Sequence, residues 1–413
     1  MTGEVQSSPG RWLAIVGIGE DGRAGLTAAA SAALDNAEVV YGGERHFALA
    51  SPLKAQAKAW PRPITEAYPG ILARRGRPTC ILATGDPFHY GIGAEIARFV
   101  APAEIAAFPQ PSSFSLACAR LGWPLAECAC LTLHGRALPR IIPSLQPGSR
   151  LLVLSWDGTT PAAVAALLVE RGFGASVITV LEAMGGERER IRSAHAAGFA
   201  LADIDPLNTI AIAVVAGPDA RVVTLSPGLA DAWFENDGQL TKSEIRAVTL
   251  AALQPSAGQL LWDVGAGAGS VAIEWCLRHP ANRAITVEAK SERVERIGRN
   301  AADLGVPDLR IVQGRAPDIL AGLEAPDAIF VGGGVSEPAI LSSAIDVLKP
   351  GGRLVANAVT LEGEAALLAA FSCYGGTLRR LSVARADPVG GMHGWRSAMP
   401  VTQWAWTKAA RTP

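Results

Sequence analysis

The sequence predicts an α/β chain of two domains, each built on a strand, a glycine turn and a helix. Three observations carry this. The 413 residues suffice for roughly two or three domains, and 49% hydrophobic with 18% charged residues is the composition of packed globular units. The 44 glycines and 28 prolines fit many short turns between alternating strands and helices. The order strand, glycine turn, helix, strand is legible twice, starting at Trp12 and again at Leu260, and periodicity lapses between Gly217 and Gln239. A formal net charge of −1 gives no global cationic field, which argues against nucleic acid and an anionic membrane as partners. No apolar run reaches membrane-spanning length, and residues 1–10 read as a disordered tail without a basic-then-apolar signal, so a cytoplasmic chain is expected. The six cysteines include no C-x-x-C pair; reduced, packed thiols are expected, with no metal site and no disulfide framework.

In the first half, residues 12–16 form an apolar strand closed by Gly17-Ile18-Gly19. Glu20 and Asp21 follow, so this turn is a poor place for a polyanionic ligand. An alanine-rich helix over 27–36 and a strand over 38–41 come next. The strand at 80–83 leads into Thr84-Gly85-Asp86-Pro87-Phe88-His89-Tyr90-Gly91, too rich in Gly, Asp and His to be mere linker, although Asp86-Pro87 also suits a plain turn. Ser112 and Ser113 start a helix that ends near Gly122 and are adequately explained as caps. Strand-length and helix-length pieces then run through 131–136, 150–155, the helix after Pro161, 176–184 and 206–212. The charge cluster at 185–192 reads as a solvated helix face with Glu187–Arg190 and Glu189–Arg192 pairs rather than a substrate clamp.

In the second half, Thr241 and Glu244 have the spacing of a capping box ahead of a helix over 245–253. The strand at 260–264 ends in Asp263-Val264, and glycines at 265, 267 and 269 allow a sharp turn and close approach of a ligand. A helix follows with Ala272, Trp275 and Cys276 on one face, Arg278 in its last turn and Pro280 stopping it. Its N-terminus favours an anionic group such as a carboxylate or phosphate. The strand at 284–287 delivers Glu288, placed to accept hydrogen bonds from a ribose. Helix 291–304, strand 309–312, strand 327–331 ending in Gly332-Gly333-Gly334, a helix to 348, strand 353–357 and closing strands over 377–407 complete the order.

These motifs resemble known families. Val16-Gly17-Ile18-Gly19 with Gly85-Asp86-Pro87, and the Pro-Gln-Pro-Ser-Ser run ending at Ser113, resemble the class III tetrapyrrole methyltransferases over residues 11–217, with lobes at about 11–122 and 123–217. The resemblance implies S-adenosylmethionine held between two α/β lobes and makes Gly17, Gly19, Gly85, Asp86 and Asn208 candidate cofactor residues. The run Asp263 to Gly269, including Ala266, Gly267 and Ala268, resembles motif I of the Rossmann-like class I methyltransferases, with Glu288 as the ribose acid and Ala316 in the adenine region. Thr241-Lys242-Ser243-Glu244 resembles an element that places a threonine beside the cofactor in the decarboxylating precorrin methyltransferases. The implied organisation is an N-terminal two-lobed tetrapyrrole methyltransferase fold, a linker at 218–239 and a Rossmann-like methyltransferase domain at 240–413, with one S-adenosylmethionine per domain.

A class III domain followed by a class I domain resembles the bifunctional corrinoid methyltransferases of aerobic cobalamin synthesis. That implies methylation of two meso carbons of an anionic corrinoid and decarboxylation of one acetate, with C15 methylation and decarboxylation in the C-terminal domain and C5 methylation in the N-terminal one. A homo-oligomer is expected. No catalytic acid or base is assigned, His393, Tyr374 and water being weak sources of the proton the decarboxylated carbon needs. Two other classes compete. A nicotinamide-dependent oxidoreductase would want glycine or alanine three residues after Gly267, where Ser270 stands. A nucleic-acid-modifying enzyme is disfavoured by neutral charge and by Val331-Gly332-Gly333-Gly334 where a base methyltransferase carries D/N-P-P-Y/F.

Overall fold

The computed structural model describes residues 10–410, so all but the last residue of the expected tail lies outside them. The chain divides into two compact units, one comprising residues up to 138 with 146–221, the other 139–145 with 222 onward.

The first unit opens on β1 (Leu13–Ile18), buried at every position, as a central parallel strand covered on both faces must be. There follow α1 (Ala28–Asp35), whose Thr27 side chain caps Ala30 N–H at 3.2 Å, β2 (Val39–Gly42), α2 (Glu44–Leu49), β3 (Gln56–Ala59), α3 (Tyr68–Leu72), β4 (Thr79–Thr84), α4 (Ile92–Ile96) and β5 (Ile105–Phe108). The five strands form a parallel sheet in the order β3-β2-β4-β1-β5. Helix α5 (Ser113–Leu121), capped by Ser112, then leads to β6 (Cys128–Thr132), β7 (Arg150–Leu154), α6 (Thr160–Glu170), β8 (Val177–Glu182), β9 (Arg190–His195) and β10 (Asn208–Ala213). They make a second sheet, β6-β7-β10-β8-β9, in which β6 pairs parallel with β7 and the other neighbouring pairs are antiparallel.

Strand β9 corrects the expected helix over 185–192. Residues two apart share a face of a strand, so Arg190 and Arg192 both reach the buried carboxylate of Glu182 on β8, at 2.7 and 3.1 Å. Glu189 bonds Arg120 at 2.5 Å instead of Arg192. An acid with almost no exposed side chain needs paired cations, and that requirement overrides the weak preference for i,i+3 pairs on a helix.

The second unit contains α7 (Ser243–Leu253), β11 (Leu260–Val264), α8 (Ser270–Arg278), β12 (Arg283–Glu288), α9 (Ser291–Asp303), β13 (Arg310–Gln313), β14 (Ala328–Val331), α10 (Pro338–Val347), β15 (Arg353–Ala358), α11 (Leu361–Tyr374), β16 (Thr377–Leu381), β17 (Ala384–Val389), β18 (Met392–Ser397) and β19 (Val401–Thr407). Its seven-stranded sheet runs β13-β12-β11-β14-β15-β19-β16, with β19 antiparallel to both neighbours. Chain order reverses between β11 and β14, and ligands of open α/β sheets bind at the carboxyl ends of strands beside such a reversal. Strands β17 and β18 pair only with each other, as a hairpin.

Residues 222–239, expected as part of a linker, are structured in this unit. Val223, Leu229 and Phe234 are buried, and Glu274 of α8 accepts from the Gly228 and Leu229 N–H groups at 2.7 and 2.9 Å.

Candidate functional site

In the second unit, β11 aims the chain at the reversal point and the glycine loop turns it into α8. Gly265 has φ +71°, and a Cβ there would stand 2.7 Å from the backbone of Gly333, at the end of β14. Two loops therefore touch backbone to backbone, which only glycine permits. Gly267 (φ +60°) donates its N–H to Glu288 Oε2 at 3.0 Å, and Gly269 (φ +74°) is the N-cap of α8. Beside these loops lies a cavity of about 630 Å³. Thr241, Gly265, Ala266 and Gly267 line it, together with Phe330, Gly332 and Gly333 from β14 and its loop.

Other candidates take different places. Ala268 is buried behind the loop, with its carbonyl accepting from Asn300 Nδ2 at 3.0 Å. Glu288 is buried, holding Gly267 and, at 3.0 Å, the N–H of Lys290, so it braces the turn. Ala316 is packed in the core with Val312 and Leu320, outside the cavity lining. The capping box is corrected. The N-cap of α7 is Lys242 without a side-chain cap bond, because Thr241 is held through its carbonyl by Arg246 and faces the cavity. His393 and Tyr374 do not line this cavity either.

Sequence reasoning missed what holds the cavity wall at 238–242. Arg246 and Glu274 are both fully buried and bonded at 2.5 Å. Arg246 also donates to the Thr241 and Leu229 carbonyls and stacks over Phe234 at 4.6 Å. Asn300 grips both the N–H and the carbonyl of Glu235, at 2.9 and 3.0 Å. Arg293 holds Asp237 at 2.8 Å, which lowers the Asp237 carboxyl to about 2. Beneath the loop, burial pushes Asp263 up to about 7, eased by the Ala272 N–H at 3.1 Å and reinforced by the charge of Glu288.

In the first unit, three chain segments stack at the carboxyl ends of β1, β4 and β5. A Cβ on Gly17 would strike the Gly85 carbonyl, and one on Gly85 (φ +57°) would lie 2.9 Å from the Pro111 carbonyl. The Gly85 N–H bonds Ile18 and its carbonyl accepts from Gln110, each at 3.2 Å. Gly19 turns the chain by accepting from Gly22 at 3.0 Å. A cavity of about 220 Å³ adjoins this stack, lined by Asp86, Thr84, His46, His89, Tyr90 and Ser112 among others. Asp86 accepts from the Phe88 N–H at 2.8 Å, shaping the loop. His46 accepts from the Gly43 N–H at 3.2 Å through Nδ1, leaving Nε2 to donate to Thr84. Burial, aided by the charge of Arg45, lowers it to about 4. The side chain of Asn208 is committed elsewhere: it bonds Ser155, Asp157 and Asp205, tying the end of β7 to the start of β10.

Two α/β units, each with a cavity beside a glycine loop at strand carboxyl ends, define a two-unit α/β chain, and comparison with known proteins makes the class specific. Residues 13–199 match the tetrapyrrole (corrin/porphyrin) methylase family, and residues 232–408 match the precorrin methyltransferase domain. The precorrin-6Y C(5,15)-methyltransferase (decarboxylating) of a Sinorhizobium species is 53% identical over 96% of both chains. The chain belongs to that family. Shorter relatives also match. A probable cobalt-precorrin-6B C(15)-methyltransferase (decarboxylating) of Pyrobaculum calidifontis is 39% identical, over 36% of this chain and 79% of its own. A cobalt-precorrin-7 C(5)-methyltransferase of Salmonella typhimurium is 29% identical, over 43% of this chain and 88% of its own.

Proposed function

We propose that this chain methylates precorrin-6B at C5 and C15 and decarboxylates its C12 acetate to give precorrin-8X, drawing on S-adenosylmethionine at one site in each of two domains, 11–217 and 240–413. We read it as a cytoplasmic, self-associating enzyme of cobalamin synthesis. The observation that carries the reading is the contact of Gly265 with Gly333 beside a cavity of about 630 Å³ at the reversal of the strand order.

The residues fit the cofactor. A Cβ at Gly265 would meet neighbouring backbone, so the loop is kept bare, and the start of α8 offers N–H groups and a favourable dipole to the amino-acid carboxylate. When bound, S-adenosylmethionine supplies an already activated methyl. The chain then has only to place a nucleophilic ring carbon in line with it. Thr241 and Gly267 bound the cofactor side of the cavity, while Phe330 and the bare backbone of Gly332 and Gly333 leave room for the macrocycle. Decarboxylation uses the conjugated ring as its electron sink and needs no protein nucleophile. In the first domain, Asp86 shapes the loop beside the smaller cavity.

Shorter relatives named for C(15) methylation with decarboxylation and for C(5) methylation support a division of labour, which we place in the C-terminal and N-terminal domains respectively. Calorimetry of the whole chain with S-adenosylhomocysteine tests the cofactor reading. Two binding sites are expected, and binding of NADH with none of the homocysteine compound would overturn it.

A further inference from the structure

A tetrapyrrole fringed with acetates and propionates must meet cations, and the cavity of the second unit presents two of its cations in an unusual setting. Arg385 on β17 and Arg396 on β18 are direct register partners, so their side chains leave the same face of the hairpin. Both line the cavity, as does Asp387 two residues further along that face. Like charges directly opposed weaken a strand pair. Here each is offset by acids: Arg385 by Glu244 at 2.6 Å and Asp231 at 3.5 Å, Arg396 by Asp387 at 3.2 Å. These partners leave the pair accessible, the side chains being 50% and 81% exposed. A guanidinium carries five N–H donors in a fork suited to carboxylates, and these contacts use only part of the set. The adjoining lining is apolar, with Leu381, Val383, Met399 and Val401. An apolar wall rimmed by two arginines matches a flat macrocycle with carboxylates at its edge.

Resting on the proposed function, we propose that Arg385 and Arg396 clamp a carboxylate that the substrate keeps, while the acetate that is lost lies away from them against the apolar wall. Chemistry decides which carboxylate it is. Loss of carbon dioxide breaks the bond between the acetate methylene and its carboxyl carbon, sends that electron pair into the conjugated ring and takes one proton from solvent to complete the methyl. Negative charge leaves the carboxylate in the transition state, so two guanidiniums bonded to it would stabilise the ground state more and slow the step. On a retained carboxylate they stabilise both states equally, which strengthens binding without raising kcat.

The experiment measures KM and kcat for carbon dioxide release from precorrin-6B by the full chain, with S-adenosylhomocysteine affinity as the check on folding. Arg385→Ala and Arg396→Ala are each expected to raise KM about three- to tenfold, the range for partly exposed charged contacts, with kcat within about twofold because the lost binding is uniform. Arg396→Lys recovers part of the loss. Arg396 bonds Asp387 alone among the described residues, so its variant stays informative if Arg385→Ala misfolds. Unchanged KM in Arg396→Ala, or a fall in kcat at unchanged KM, overturns the clamp. If the unaltered chain does not turn over precorrin-6B, the parent reading fails separately, and the clamp is judged by binding of uroporphyrin: weaker binding by Arg396→Ala upholds it, and equal binding overturns it.

Discussion

Asp263 lies near the end of the strand that delivers the glycine loop, and its carboxyl is buried. One oxygen accepts from Ala272 N–H, and the other has no partner among the described residues. Burial raises it from 3.8 to about 7. The folded state therefore holds this proton more tightly than the unfolded chain does. Its contribution to stability is greatest below pH 4 and is lost as pH rises from 4 through 7. Two salt-bridged acids act oppositely: Glu189, lowered to about 2 by Arg120, and Glu244, lowered to about 2 by Arg385, contribute stability above pH 4.5 that disappears as pH falls towards 2. Asp263→Asn, neutral at every pH, is expected to flatten the decline in melting temperature of the C-terminal domain between pH 5 and pH 8, measured by scanning calorimetry. An unchanged decline would place the titration elsewhere.

Elements were legible where backbone or burial dictated them. Gly17, Gly85, Gly265 and Gly267 could be picked out because a Cβ at each is sterically or conformationally costly. The strands β1, β4 and β11 announce themselves as apolar runs. What the sequence hid depends on partners distant along the chain. Strand β9 looked helical because its arginines also have helical spacing to nearby acids, and Glu182 decides the matter. Residues 222–239 looked irregular because Glu274 and Asn300, not local periodicity, order them. Arg385 and Arg396 become neighbours only through hairpin register. The Arg246–Glu274 pair makes the clearest test at this scale. Arg246→Met leaves Glu274 charged and buried, which should cost roughly 3–5 kcal/mol in urea unfolding. Adding Glu274→Gln should restore part of it, since the buried charge is gone and the amide oxygen still accepts from one of the Gly228 and Leu229 N–H groups. No recovery in the double variant would mean that the charge is not what matters.

At the scale of the whole molecule, one chain carries two folds whose sites were built by the same device. Bare glycine loops meet at the carboxyl ends of parallel strands, Gly17 against Gly85 in one unit and Gly265 against Gly333 in the other. Each needs backbone more than side chains, in keeping with a reaction whose donor arrives activated. On the proposed reading of one cofactor per domain, one activity can be removed while the other persists. Gly267 has φ +60°, gives its N–H to Glu288 and would bring a Cβ within 3.2 Å of the Gln239 carbonyl. Gly267→Asp adds strain and a charge beside that acid, closing the C-terminal cofactor site alone. Asp86→Ala instead releases the loop at the N-terminal cavity. The decisive measurement is mass spectrometry of the products each variant makes from precorrin-6B with S-adenosylmethionine. Gly267→Asp is expected to lose decarboxylation together with one methyl, and Asp86→Ala to lose only the other methyl. Decarboxylated product from Gly267→Asp, with none from Asp86→Ala, would contradict this by reversing the assignment of activities to domains.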